Sequence, residues 1–219
     1  IMEANVINNS RSIQERINKI KKNDQNVNII SISKTFSTDK ITPLLNNGNI
    51  HFGENKVQEA LEKWPDIKKN FPKVKLHMVG KLQTNKVKKA IKLFDFIHSL
   101  DNYKLAETLA KNQLSIKKNL NYFIQVRLGD EQGKSGILLK ELDRFYNFCT
   151  KKVNLNIVGL MAIPPNDENE EKYFKLLYDA NTSLGLKEIS MGMSGDFEKA
   201  IKYNSTFVRI GSAIFGERN

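Results

Sequence analysis

Eight short apolar segments of β character recur along the chain, each separated from the next by helical spacing or a turn. In order they are NVNIISIS, NIHFG, KLHMVG, FDFIHSL, NYFIQVRL, NIVGLMAI, KEISMGM and TFVRIGSAIFG. Between them lie amphipathic stretches such as KVQEALEKW, NKVKKAIKLF, NYKLAETLAKNQL, LLKELDRFYNFCTKK and NEEKYFKLLYDANTSL. Strands that alternate with helices pair in parallel through right-handed crossovers, and eight such units point to a closed (β/α)8 barrel. An open doubly wound sheet is the alternative. A helix expected over residues 4–22 precedes the first strand and could cover the gap left where no long helix follows the eighth. The 219 residues suit one domain around one core, so residues 1–219 are read as a single barrel domain.

Composition narrows the function classes. No run of eighteen apolar residues and no basic-then-apolar leader is present, so a cytoplasmic protein without membrane association is expected. The lone Cys149 excludes an intramolecular disulfide and argues against a cysteine-based metal site; helix packing is its expected role. The formal charge of +11 raises nucleic acid as a partner. The basic pairs are scattered, however, and no aromatic residues interleave with them, so no specific nucleic-acid binding is expected.

The barrel reading turns positions into roles, because such barrels carry their functional groups at the C-terminal ends of the strands. Lys34 ends the first apolar run. With alternating side chains it shares a face with Ile30 and Ile32 and looks inward, while Ser31 and Ser33 face the helices. A lysine among aliphatics is suited to nucleophilic use toward a carbonyl; the alternative is a lysine whose amine simply reaches solvent at a strand end. After the seventh and eighth strands come SMGMSGDFEKAI and RIGSAIFGE, two turns rich in glycine and hydroxyls where barrels commonly bind phosphate. Gly192 and Gly211 allow close backbone approach, Ser194 can cap the next helix, and Asp196 is assigned to capping or dipole compensation. An imine-forming amine opposite a phosphate cradle describes a pyridoxal 5'-phosphate (PLP) site.

From Ile29 to Arg218 the blocks SKTFS, HFGENKVQEA, HMVGKLQTNKVK, FIHSLDNYKLA, RLGDEQGKSGI, VGLMAIP, SMGMSGDFEKAI and VRIGSAIFGER occur in the order found in one family. In them the chain resembles the YggS/PROSC family, the pyridoxal phosphate homeostasis proteins, with an alanine-racemase-type barrel. The resemblance implies that Lys34 holds PLP as a lysine aldimine. It further implies that Ser194, Gly211 and Ser212 hold the phosphate and that Arg209 lies at the cofactor, nearer the pyridine nitrogen. Asn55 would sit beside the ring, Met191 and Met161 would form apolar walls, and His77 would be a further cofactor neighbour. Ser37, Lys81 and Ser212 depart from residues common in the family, and Lys81 alone bears on local charge.

An arginine rather than a carboxylate at the ring nitrogen leaves that nitrogen unprotonated and the ring a poor electron sink. Alanine racemases, by the same resemblance, add a second domain that brings another acid-base group, for which this chain has no room. No tyrosine stands at a strand end to act as a second base. The implied function is therefore buffering or delivery of PLP without robust catalysis, with PLP-dependent apo-enzymes as acceptors and a monomeric state. A minimal PLP-dependent amino-acid racemase is the alternative. His51, His77 and His98 fall on the second to fourth strands, and hydrogen-bonded barrel histidines are expected there rather than a metal site.

Overall fold

The computed structural model of the chain describes residues 2–129 and 135–217. Strand β1 (Asn28–Ile32) pairs in parallel with β2 (His51–Glu54), β2 with β3 (Lys75–Met78), and β3 with β4 (Phe96–Leu100). The series continues through β5 (Asn121–Arg127), β7 (Ile157–Met161), β8 (Glu188–Met193) and β9 (Phe207–Ile210), which returns to β1. These eight parallel strands close a barrel, and a two-residue strand, β6 (Ile137–Leu138), lies against the end of β5. The doubly wound alternative is thereby excluded. The last apolar segment stops being a strand at Ile210, and Ser212–Phe215 turns into the short helix α9. The block RLGDEQGKSGI runs through residues 130–134, and the final block ends at Arg218; both places lie outside the described residues.

Alternation sorts each strand into two environments. Ile30, Ile32, Phe123, Met161 and Phe207 form one buried cluster, with Val79, Phe96 and Val158 against it, and this fills the barrel. Phe52 points the other way and packs on Trp64 of α3 (Val57–Asn70), ring centroids 5.2 Å apart. Such a pair contributes ~0.5–1.5 kcal/mol beyond its area burial. Ser31 and Ser33 are likewise buried beneath the helices. Cys149 is buried in the turn of π-helix Phe148–Lys152, where burial pushes its thiol up to about 12.

The three histidines also point inward. His51 Nδ1 lies 2.9 Å from His77 Nε2, and His77 Nδ1 lies 2.8 Å from His98 Nε2. His77 stacks on Phe96 and His98 on Phe123, with centroids 4.2 and 4.3 Å apart. Desolvation lowers His51 to about 4, helped by Lys75 and opposed by Asp95. It holds His77 and His98 well below the ordinary imidazole value, with neighbouring histidines and Arg209 adding to the effect. No group of three or more residues able to hold a metal ion occurs among the described residues.

Helix α1 (Met2–Ile20) packs over α2 (Thr38–Asn46), α8 (Phe197–Lys202) and α9. It starts two residues before the expected range and ends two before it. Asn9 donates to Ile214 O at 2.9 Å, and the Arg16 guanidinium pairs with Glu198 and sits 4.7 Å from the centre of the Phe197 ring. Many lysines serve the scaffold. Lys68 donates to Leu93 O and pairs with Asp95, and Lys118 donates to Phe94 O, so both satisfy carbonyls at the end of α4 (Val87–Leu93). Among the described residues no helix is long and apolar enough to cross a membrane.

The turn after β1 is held from below. Lys63 of α3 donates to Ser33 O at 2.8 Å and Phe36 O at 2.9 Å, while its ammonium lies 2.5 Å from Glu54 Oε1 and 2.9 Å from Glu59 Oε2. Glu59 in turn accepts from the Thr35 N–H at 2.6 Å, fixing a threonine whose φ of 69° lies in the left-handed region. Burial raises the Glu54 carboxyl and Lys63 opposes the rise. Breaking such a pair leaves a buried charge, so Lys63→Met is expected to lower stability by about 3–5 kcal/mol, with the Glu54→Gln/Lys63→Met double variant recovering part of it. Denaturant midpoints measure both, and a loss under about 1 kcal/mol would mean that the pair behaves like a surface one.

Acid should also weaken the fold. Between about pH 4 and the ordinary histidine value of 6.5 the unfolded chain binds protons that folded His51, and still more His77 and His98, refuse. Stability contributed by keeping them neutral is complete above 6.5 and is lost as pH falls. Glu54 acts in the opposite sense above 4.5, but it is one group against three. Urea midpoints should therefore drop from pH 7 to pH 5; a flat profile would mean that the folded barrel accepts these protons.

Candidate functional site

A cavity of about 330 Å³ opens at the C-terminal end of the strands. Its lining comes from Ile32 and Lys34 on and after β1, Asn55 after β2, Val79 after β3 and Ile163 after β7. Met193, Ser194 and Gly195 contribute from the end of β8 and its loop, and Arg209, Gly211 and Ser212 from β9 and its turn. Alternation carries Ile30 and Ile32 into the barrel, and the clamped turn at Ser33–Phe36 sets Lys34 half-buried at the mouth. Asn55 enters beside Gly80, where a Cβ would stand 2.3 Å from Asn55 O and 2.4 Å from Asn55 Oδ1. Only glycine leaves that space.

Arg209 is 4 % exposed and forms part of the cavity wall. Its Nη1 donates to Ser190 Oγ at 2.6 Å and its Nη2 to Ala162 O at 3.0 Å. Burial lowers it to about 10, with Asp196 opposing, so the guanidinium is a cation at neutral pH. Both acceptors are uncharged, and the guanidinium can only donate. An anion or an electron-rich acceptor in the cavity therefore complements it.

The loop after β8 is arranged differently from the sequence expectation. Ser194 Oγ accepts from the Ala213 N–H at 3.2 Å and so ties this loop to the start of α9, rather than capping α8. Asp196 precedes α8 but turns back to accept from the Met193 N–H at 2.7 Å, which keeps its carboxylate off this cavity's wall. Ser194, Gly195, Gly211 and Ser212 then border the same space.

Lys34, Asn55, Ser194, Arg209, Gly211 and Ser212 are thus brought together. His77 and Met191 are not. His77 is fully buried in mid-strand among the barrel rings, a layer below the opening. Met191 is fully buried on the outer face of β8, packed in the core between sheet and helices. Ser190 is the inward neighbour, and the irregular register between Ser190 and Met193, with Gly192 at φ 99°, returns Met193 to the cavity. Met161 lies deeper in the barrel interior and Ile163 reaches the rim instead. Ser190, which holds Arg209, is not among the residues that the sequence reading assigns to the site; its signal is its spacing of four from Ser194 across a glycine that resets the alternation.

Two hollows adjoin the site. One of about 540 Å³ shares Ile163 and Met193 and is bordered by Arg127, Glu170 and Asp196. Another of about 310 Å³ shares Asn55 and carries Lys56, Lys81 and Lys86, which places the unusual Lys81 beside the mouth rather than in it.

The sequence matches the alanine racemase, N-terminal domain family over residues 8–219. It is 35% identical over 229 residues to a pyridoxal phosphate homeostasis protein of Pasteurella multocida (strain Pm70), covering 100% of this chain and 98% of that one. A protein of the same name from Aquifex aeolicus (strain VF5) is 36% identical over 217 residues, covering 94% and 93%. Among solved structures, PipY of Synechococcus elongatus PCC7942, determined with PLP bound, superposes with a TM-score of 0.86 at 29% identity, covering 96% of this chain and 100% of PipY. Barrel, sequence and structural likeness agree: the chain belongs to the family of pyridoxal phosphate homeostasis proteins, built on the alanine racemase N-terminal domain.

Proposed function

We propose that this protein binds pyridoxal 5'-phosphate through Lys34 and takes part in buffering and delivering it inside the cell, without robust turnover of its own. The observation that carries the reading is one cavity in which Lys34 faces a buried arginine and a hydroxyl- and glycine-lined turn. PipY, solved with PLP bound, supports it. The residues fit the group chemically. A lysine amine suits an aldehyde, while Ser194, Ser212 and the backbone at Gly195 and Gly211 suit a phosphate. A cationic arginine satisfied by neutral acceptors suits the lone pair of a pyridine nitrogen. When bound, PLP supplies a carbonyl that condenses reversibly with amines.

Everything else falls to the chain. Lys34 would anchor the group, the loops after β8 and β9 would hold its phosphate end, and Arg209, which can only donate, would keep a donor toward the ring nitrogen and so favour its unprotonated form. Asn55 and Val79, which line the cavity, would border the ring. Met193 and Ile163 at the rim are 41% and 49% exposed, so the mouth is open to an incoming amine. An open mouth favours exchange of the cofactor with acceptor apo-enzymes over chemistry protected from water. Tyr103, Tyr122 and Tyr173 are not among the residues that line the cavity, which supports the reading without robust turnover.

The test is the visible spectrum of protein supplemented with PLP, before and after borohydride. Wild type should show a band that borohydride abolishes, with a pyridoxyl mass on the peptide containing Lys34, and Lys34→Ala should show neither. A colourless wild-type protein would overturn the reading. Deuterium exchange at the α-carbon of alanine should stay at background; exchange lost in Lys34→Ala would instead identify a minimal racemase.

A further inference from the structure

The histidines are not isolated fillers of the barrel. His98 Nδ1 lies 2.8 Å from Ser190 Oγ, the hydroxyl that accepts from Arg209. A continuous series therefore runs from His51, partly exposed at the N-terminal end of β2, through His77, His98 and Ser190 to the cation in the cavity wall. Every ring nitrogen on an inner contact faces another nitrogen or the serine oxygen, so each contact needs one donor and one acceptor.

The direction follows from the serine. Its hydroxyl has one proton and two lone pairs, and Arg209, which cannot accept, occupies a lone pair. Ser190 is fully buried, and among the described residues its side-chain partners are His98 and Arg209. Were His98 Nδ1 to donate, the serine proton would be left without an acceptor, at the full desolvation cost of a buried donor. Ser190 therefore donates to His98 Nδ1. That places the His98 proton on Nε2, which donates to His77 Nδ1; the His77 proton is then on Nε2, which donates to His51 Nδ1. The stacked Phe96 and Phe123 rings hold the planes of His77 and His98, so neither imidazole turns without unpacking its neighbour.

We propose that Ser190, His98, His77 and His51 form one polarised hydrogen-bond column along the barrel, with all three protons on Nε2, and that Ser190 is the positioning residue that holds Arg209 toward the cavity. The cofactor-dependent part of this rests on the proposed PLP site; the column itself does not.

Long-range nitrogen–proton NMR of the full-length protein, labelled with nitrogen-15 at pH 7, tests the column directly, because only three histidines contribute. Three single neutral Nε2–H tautomers are expected. An Nδ1–H form, a charged ring or averaging between tautomers at His77 or His98 would overturn the column. Ser190→Ala tests the positioning role: the slowly exchanging Arg209 guanidinium protons should collapse into an exchange-averaged signal. PLP binding should then weaken about tenfold, the loss expected when a buried donor loses its acceptor, with a displaced visible band. Unchanged Arg209 signals in the folded variant would overturn the positioning role. Should that variant not fold, the wild-type tautomers still decide the column. A wild-type protein with the expected tautomers but no visible band would overturn the PLP reading alone.

Discussion

A guanidinium buried at the end of a parallel barrel and paired, among the described residues, with no carboxylate constrains what can surround it. Arg209 donates to a serine hydroxyl and a backbone carbonyl, both neutral, and Asp196 favours its charged form, so an anion or electron-rich acceptor in the cavity complements it. A second cation beneath it would be costly in so buried an interior. The histidines below it are accordingly held uncharged by burial, with the arginine itself contributing at His98. Imidazole supplies polar contacts that link to one another without adding charge, and flat faces that stack on Phe96 and Phe123 as an aliphatic side chain could not.

The opposite side of the cavity is built on the other buried ionic group. Lys63 gathers the carbonyls of Ser33 and Phe36 and the carboxylates of Glu54 and Glu59 around one ammonium, and Glu59 reaches on to the Thr35 N–H. The residue that must project, Lys34, therefore stands on a turn fixed at both flanks by groups outside the barrel wall. Lys34 and Arg209, which both line the cavity, are thus supported by separate devices, a clamp outside the barrel and a column inside it. Other lysines serve the scaffold: Lys22, Lys68 and Lys118 each satisfy carbonyls at the ends of helices or loops.

Much of this was legible in the chain. Period-two alternation through Ile30 and Ile32 is enough to send Lys34 inward, and the order of apolar segments is enough for a barrel. Phe207 and Arg209 obey the same parity on β9. Parity fails at β8, where the irregularity at Gly192 shifts the register, so that Met193 lines the cavity and Met191 packs outside. His77 keeps the expected inward face but lies below the opening, because depth along a four-residue strand depends on the stagger of neighbouring strands.

The sequence by itself determined the fold class, the family, the inward lysine and the two turns that border the cavity, because these follow from local periodicity and from motifs contiguous in the chain. Only the tertiary structure decided which donors meet which acceptors. The Ser194 bond to Ala213, the Lys63 bond to Ser33 O and the contacts of Ser190 with His98 and Arg209 join residues 19 to 92 positions apart. Such contacts are set by the shear and closure of the barrel, which no local segment encodes.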